Sequence, residues 1–585
     1  MAQTKLAENG SRPIAEELAK KQREISVAEF FEKNRHLLGF DNKRKALLTT
    51  IKEAVDNALD ACEEARVLPE INIEIIELAE DKFRVVIEDN GPGIVKKQVP
   101  NIFAKLLYGS KFHSMKQSRG QQGIGISAAA MYGQLTTGKP IRVTTRISKS
   151  KPAYYVELYL NTTTNKPEIK NEKDVDWNGR EHGTRIEIDL EASYQKGAQS
   201  IDEYLKQTAI VNPHATIIYT NPKAEQIIFA RATEELPPMP KEIKPHPYGI
   251  EVGIMIKMLQ NTTAKTLQQF LTSEFSRVSS GIAKEICSKA VIAPNTKPKD
   301  LGPQHATRLM DAIKKTKIMA PPTDCTYPIG EDLLEKGLRK EIQAEFYCAI
   351  TRKPSVYRGN PFVVECAIAY GGELSKEGSA RVMRFANRVP LLYQQGACAS
   401  TKAIVNTAWR NYGLSQSKNA LPVGPIAVAI HIASVWAPFT SEAKEAIAHY
   451  PEIIKEMRLA LQEAGRLLGR YVNKKRRVRD EIKKRSFIEK YIPHVASALG
   501  ELLGLKKADE NNIEEYLADI LEHVRGEVED VEFDPTKNVD YDEEFAKIGS
   551  EDVESDLIDE EVVDEEKKSK KAKKDKSKSK QTKLE

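Results

Sequence analysis

At 585 residues the chain exceeds what one hydrophobic core organises, so several domains are expected. A 40% hydrophobic, 30% charged composition describes a folded chain with a highly charged surface, and a net charge of only +5 confines any basic character to local patches. The six scattered cysteines form no CxxC pair, which argues against a zinc ribbon or a disulfide scaffold and for a reducing compartment.

In chain order, residues 1–21 form an N-terminal arm, charged where a signal peptide needs an apolar run. Residues 44–66 read as a strong helix, because Ile51, Val55, Ala58, Leu59 and Cys62 recur at helical spacing. Its polar face carries Glu53, Asp56, Asn57 and Asp60 with no partner lysine. The alternating runs "INIEIIEL" (71–78) and "KFRVVIED" (82–89) predict strands, and "DNGPGI" follows as a Gly/Pro loop. A Gly- and Ser-rich segment spans Tyr108 to Gly125 and leads into a small-residue helix, "ISAAAMYGQ". Strands are expected at "PIRVTTRI", "AYYVELYL" and "GTRIEIDL". This unit, 22–235, mixes one sheet with helices, the signature of a two-layer α/β sandwich.

"LPPMPKEIKPHPYG" (236–249) is a Pro-rich linker, and a helical stretch follows to 306. Strand and helix patterns resume across 307–495 with "AEFYCAIT", "FVVECAIAYGG", "ARVMRFANRV" and "TKAIVNTAWRNYG". The most apolar window, 420–439, is trimmed by prolines and Gly424 to "IAVAIHIASVWA", short of the ~20 residues a membrane span needs. It reads as a buried strand, and a cytoplasmic, nucleoid-associated protein is expected. Beyond Pro451 an increasingly basic helical pattern runs to about Tyr491. A small helical region is expected over 496–548, and the acidic-then-lysine tail, 549–585, lacks the apolar content to fold.

Two segments compete as phosphate loops. "GQLTTGKP" (133–140) nearly fits a P-loop, but Pro140 stands where a Ser or Thr must hold magnesium, and a strand follows instead of a helix. It reads as a helix-to-strand turn. "RGQQGIG" places Gly120, Gly123 and Gly125 just before a helix, where backbone amides and the positive helix end suit an anion. Any flexible turn would look similar, so the triplet alone is weak. Glu53 and Asn57 lie one turn apart with Asp60 on the same face. An amide oxygen there suits magnesium and a carboxylate suits activating water; a solvated acidic face is the bland alternative.

Taken together, "EAVDNALDA", "DNGPG", "GQQGIG" and "GTRIEI" resemble, in order and spacing, the four motifs of the GHKL ATPase superfamily: gyrase B subunits, MutL-type repair proteins, ninety-kilodalton heat-shock chaperones and histidine kinases. The resemblance implies a Bergerat α/β sandwich with ATP and Mg2+ as cofactors. It implies Glu53 as general base, Asn57 as magnesium ligand and Asp89 as acceptor for the adenine amino group. Gly91 and Gly93 would let the base pack close, and Thr184 would complete its contacts. A lid of Tyr108, Gly109, Ser110, Lys111, Gly120, Gln121, Gln122, Gly123, Ile124, Gly125 and Ile126 would grip the phosphates. Lys111, His113, Lys116 and Arg119 are cations in that segment; loop solubility explains them as well as phosphate contact does.

From about residue 22 to 490 the chain resembles the B subunits of archaeal-type DNA topoisomerase VI, type IIB enzymes, as in "KNRHLLGFDNKRKALLTTIKEAVDNALDA", "RFANRVPLLYQQGA" and "WAPFTSEAKEAI". That resemblance implies a helix–two-turn–helix insert over the helical stretch, either a phosphate-contacting module near Lys284 or a packing module. It implies a ribosomal-S5-like transducer domain with a long stalk helix, whose Lys444 reaches the γ-phosphate; by itself Lys444 is an exposed lysine near a helix start. The basic helix 473–486 would meet DNA, solvent or a partner subunit. The implied partners are double-stranded DNA, a second copy through ATP-dependent B–B dimerisation, and a DNA-cleaving A subunit in an A2B2 heterotetramer. A chaperone or mismatch-repair-type clamp, and a scaffold with a dead nucleotide pocket, are the rival readings.

Overall fold

The computed structural model describes residues 14–112, 114–120, 122–177, 179–504 and 506–525. The chain divides into two compact units, 1–491 and 492–585. The expected disordered tail, the segment from 526 onward, residues 1–13 of the arm, His113 and Gln121 lie outside the described residues.

The first unit opens with helices α1 (Ile14–Lys21), α2 (Val27–Lys33) and α3 (Lys43–Glu64). Strands β1 (Glu70–Ala79) and β2 (Lys82–Asp89) follow as a hairpin, then helices α4 (Val99–Phe103) and α5 (Gly125–Thr137). Next come β3 (Ile141–Arg146), β4 (Ala153–Asn161), β5 (Lys166–Val175), β6 (Gly183–Glu191), α6 (Ile201–Val211), β7 (Thr216–Thr220) and β8 (Gln226–Phe229). The strands form one eight-stranded sheet in the order β5-β4-β3-β6-β2-β1-β7-β8, antiparallel except for the β1–β7 pair. Asn42 caps α3 by accepting the Lys45 N–H, and Leu47, Ile51, Val55 and Leu59 bury its apolar stripe against Ile73, Val85 and Ile87 of the sheet. With α5 and α6 beside it, the result is the expected two-layer sandwich. Gly133–Thr137 is the last turn of α5, closed by Gly138 at φ +69°, so the near-miss phosphate loop is indeed a helix-to-strand turn.

Helices α7 (Val252–Asn261), α8 (Leu267–Glu274), α9 (Ser280–Ala290) and α10 (Pro303–Lys314) build a separate small core. Leu309, Met310, Ile313 and Ile318 are part of it with Met255 and Phe270, so this helical unit runs to Ile318. A boundary at 306 cuts α10, whose apolar stripe belongs with α7–α9.

Helix α11 (Glu331–Glu341) then leads into β9 (Phe346–Thr351), β10 (Ser355–Tyr357), β11 (Asn360–Tyr370), β12 (Arg381–Ala386), β13 (Val389–Pro390), α12 (Ala399–Val405), the short pair β14 (Ser415–Gln416) and β15 (Pro422–Val423), and β16 (Ile426–Ser434). The apolar window is thus the buried strand β16, central in a sheet ordered β10-β11-β16-β12-β13, with β9 also pairing β11. Ile210 and Val211 of α6 join Leu334 and Leu338 of α11 in one core with this second sheet. A Cβ on Gly337 would lie 2.1 Å from the Ile210 carbonyl oxygen, so α11 crosses α6 at a separation only glycine allows. Helix α13 (Pro451–Leu503) covers the second sheet through Met457, Ala460, Leu461 and Ala464, with Tyr471 stacked on Phe346. In the second unit the described residues continue α13 and form α14 (Lys507–Arg525), where the sequence is read only as a small helical region.

Candidate functional site

The site is built around the C-terminal half of α3. Glu53 is half-buried, and its carboxylate lies over the first residue of α5: a Cβ on Gly125 would come within 1.8 Å of Glu53 Oε2. One turn on, Asn57 is exposed, and Gly120 sits against its amide, Oδ1 being 3.6 Å from where a Cβ would stand. Neither side chain makes a hydrogen bond among the described residues. The other two acids differ. Asp56 is buried, accepts the Tyr204 hydroxyl at 3.2 Å and is pushed up to about 7 by burial. Asp60 accepts from Lys111 (2.7 Å), Arg119 (2.8 Å) and the Gly120 N–H (3.3 Å). Burial opposes its ionisation, but the Lys111 and Arg119 cations prevail and hold it below the ordinary carboxylate range. Asp60 thus anchors the glycine-rich segment, and Lys111 is ion-paired with Asp60 and Glu64.

At the far end, Asp89 closes β2. The N–H groups of Gly91 (2.8 Å) and Thr184 (3.3 Å) both donate to its Oδ1, leaving Oδ2 as the unengaged acceptor among the described residues. Burial raises the Asp89 carboxyl to about 6 against the pull of those two donors. Thr184 pairs across the sheet with Thr145, hydroxyl to hydroxyl at 3.2 Å, and Thr145 Oγ1 also accepts the Ile94 N–H at 2.8 Å. Gly93 has φ +70°, and a Cβ there would lie 2.0 Å from the Arg146 carbonyl oxygen. The loop therefore presses directly on β3, a closeness only glycine allows.

Between these ends runs the segment from Tyr108 to Ile126. Gly123, at φ +57°, turns it back so that the Tyr108 N–H donates to the Gly123 carbonyl, with Gly109 packed against it. Ile124 and Ile126 are buried, whereas Ser110 is exposed and Gln122 half-buried. Gly125 begins the 13-residue α5 without a side-chain cap, so its first amides face the cleft unpaired by any capping group.

Lys444 enters from the second sheet's domain. It is buried, sits at φ +52°, and its Nζ donates to the Arg119 carbonyl at 3.0 Å. That left-handed backbone is strained for a lysine and is held residue by residue: Lys52 Nζ donates to Ala443 O at 3.1 Å, and Lys45 forms an ion pair with Glu445. Lys444 is therefore in a clamped loop, not at an exposed helix start.

The structure brings Glu53, Asn57, the glycines 120, 123 and 125, and Lys444 to one end of the cleft, and Asp89, Gly91, Gly93 and Thr184 to the other. Sequence reasoning missed Thr145, whose role follows only from its register opposite Thr184. It also missed Lys45 and Lys52 as clamps; both occur in the quoted "KRKALLTTIKEAVDNALDA", but nothing local marks their partners 391 or more residues away.

An amide oxygen free to ligate beside a carboxylate, facing uncapped helix amides, fits a magnesium-bound triphosphate. Residues 42–193 match the family model described as histidine kinase-, DNA gyrase B- and HSP90-like ATPase, and residues 321–484 match the topoisomerase VI B subunit transducer. The chain is 53% identical to the type 2 DNA topoisomerase 6 B subunit of Methanococcoides burtonii, over 86% of this chain and 80% of the relative. Its identity is 52% to that of Methanosarcina mazei, over 86% and 81%, and 49% to that of Archaeoglobus fulgidus, over 83% and 80%. The 43K ATPase domain of Thermus thermophilus gyrase B, solved with an aminocoumarin, aligns at TM-score 0.37 and 12% identity over 77% of this chain and 92% of that one, too remote to bear on function.

Proposed function

The chain belongs to the family of type 2 DNA topoisomerase 6 B subunits and is an ATP-hydrolysing topoisomerase subunit; from that premise we propose that the cleft between Asp89 and Lys444 is where one Mg·ATP is held and turned over. The observation that carries the reading is the Glu53–Asn57 pair, unpartnered among the described residues, with Glu53 over the start of α5, Asn57 against Gly120, and Lys444 bonding the adjacent Arg119 carbonyl from another domain.

In this reading Asp89 Oδ2 accepts the adenine amino group, and Gly91 and Gly93 leave room for the ring. The lid amides and the α5 N-terminus surround the phosphates. Asn57 would hold a magnesium ion through its amide oxygen, and the ion would supply neutralisation of phosphate charge. Glu53 orients a water and takes its proton as it attacks the γ-phosphorus. The cation assigned to the γ-phosphate is Lys444, which in this structure rests on the Arg119 carbonyl. Moving from that carbonyl to the γ-phosphate couples nucleotide state to the orientation of its domain.

Two copies would dimerise on ATP and trap a duplex, driving its passage through DNA cut by an A subunit in an A2B2 assembly. We place this assembly in the cytoplasm at the nucleoid; among the described residues no helix is long and apolar enough to cross a membrane. The test is relaxation of supercoiled plasmid by the chain together with a separately purified A subunit. Relaxation is expected to require ATP and both proteins, and Lys444→Ala should slow it by about 10²–10³-fold, the loss of one group that stabilises developing phosphate charge. Hydrolysis without relaxation would favour a chaperone or repair-type clamp instead.

A further inference from the structure

Three consecutive lid residues, Gln117 to Arg119, are bonded to the domain of the second sheet, and only the last of them through Lys444. The Gln117 N–H donates to Cys325 O at 2.9 Å, and its side-chain oxygen accepts the Tyr327 N–H at 2.6 Å. Ser118 O accepts from Asn387 Nδ2 at 3.0 Å. Arg119 O accepts from Lys444. Only the last of these involves a group assigned to the phosphates.

Asn387 and Arg388 are the two residues of the β12–β13 hairpin loop, since Ala386 pairs with Val389. Both have positive φ, +49° and +65°, as a type I′ turn requires. Glycine is the usual second residue of that turn; here a buried arginine holds it. The tip is wedged, not exposed. Asn387 spends its amide fully, on Ser118 O and on both backbone groups of Ser434 (2.9 and 2.8 Å). The Arg388 N–H donates to His431 Nε2 at 3.0 Å, its guanidinium to Pro328 O at 3.3 Å, and its carbonyl accepts from Asn212 of the ATPase domain at 3.4 Å. His431 in turn bonds the buried Glu365 at 2.7 Å, which accepts the Ile329 and Gly330 amides at the start of α11. A pocket of about 60 Å³ lies beside the tip, lined in part by Asp60, Arg119, Asn387 and Arg388.

We propose that the Asn387–Arg388 tip is a second reader of the lid: it passes lid position to the transducer through Ser118, independently of the lysine that contacts phosphate. The proposal rests on reading the segment from Tyr108 to Gly125 as an ATP lid. Asn387 is accordingly a positioning residue and does not touch nucleotide.

The experiment uses the full chain spin-labelled at exposed Leu78 of the first sheet and exposed Val423 near the second. The interlabel distance is measured by pulsed dipolar spectroscopy with and without a non-hydrolysable ATP analogue and magnesium, and analogue affinity is measured on the same samples. Asn387→Gly keeps the turn's backbone preference and removes the bond to Ser118 together with the two to Ser434. It should bind the analogue within about threefold of the unmodified chain yet lose about half or more of the distance change. Combined with Lys444→Ala, it should remove more of the change than Lys444→Ala alone. A full distance change in Asn387→Gly, or no added loss in the double variant, would overturn the proposal. If Asn387→Gly does not fold, the isosteric Asn387→Asp decides by the same criteria, since it keeps the Ser434 N–H bond and lacks the donor to Ser118. Failure of the unmodified chain to bind the analogue is a separate result: it removes the nucleotide reading, and the lid reader with it.

Discussion

Replacing Glu53 by alanine is expected to lower ATP hydrolysis by about 10²–10⁴-fold, the contribution of a positioned general base. Nucleotide binding should survive. The Glu53 carboxylate makes no hydrogen bond among the described residues and is half-buried, so truncation strands no buried partner and opens no core cavity. Stability should therefore change by about 0.5 kcal/mol or less, as for a surface site. Glu53→Gln keeps the shape against Gly125 but cannot take a proton, and should lose nearly as much rate. Phosphate release and analogue binding, measured on the same preparation, separate chemistry from affinity. Hydrolysis at the unmodified rate in either variant would remove Glu53 from the role of base.

Asp89→Asn is expected to weaken ATP binding by about 10²–10³-fold, the cost of setting a donor against a donor in a buried site. The direction follows from geometry. The Gly91 and Thr184 N–H groups both point at Oδ1. An asparagine must keep its only oxygen there, which turns its NH₂ toward the adenine amino group. Protonation of Asp89 has the same consequence, because the second oxygen ceases to be a free acceptor. With the carboxyl raised to about 6, affinity in the unmodified chain should be flat above that pH and fall by about tenfold per unit below it. The asparagine variant should bind weakly with no such slope. A flat profile between pH 5 and 8 in the unmodified chain, or tight binding by Asp89→Asn, would show that Asp89 does not contact the base.

Much of this was legible in the sequence where local pattern and tertiary demand agree. Ile51, Val55 and Leu59 mark the buried stripe of α3, and alternation marks β1, β2 and β6. The cleft was legible through its motifs because short-range geometry sets them: one helical turn separates Glu53 from Asn57, and one tight loop separates Asp89 from Gly93. The failures were long-range. β5 runs along the sheet edge with mostly exposed side chains and carries no apolar alternation to detect. Asp56 reads as part of a polar face, yet Tyr204, 148 residues away, covers it. Lys111 reads as a cation offered to phosphate, but Asp60 and Glu64 take it. No spacing rule announces that Lys444 lies in a left-handed loop held by Lys45 and Lys52, because both clamps belong to a different domain.

The most direct test is a crystal structure of the full chain grown with magnesium and a non-hydrolysable ATP analogue. The adenine amino group should lie on Asp89 Oδ2, the metal on the Asn57 amide oxygen, and the γ-phosphate between Glu53 and Lys444 at the start of α5. Density for the triphosphate anywhere else, or none at saturating analogue, would contradict the account.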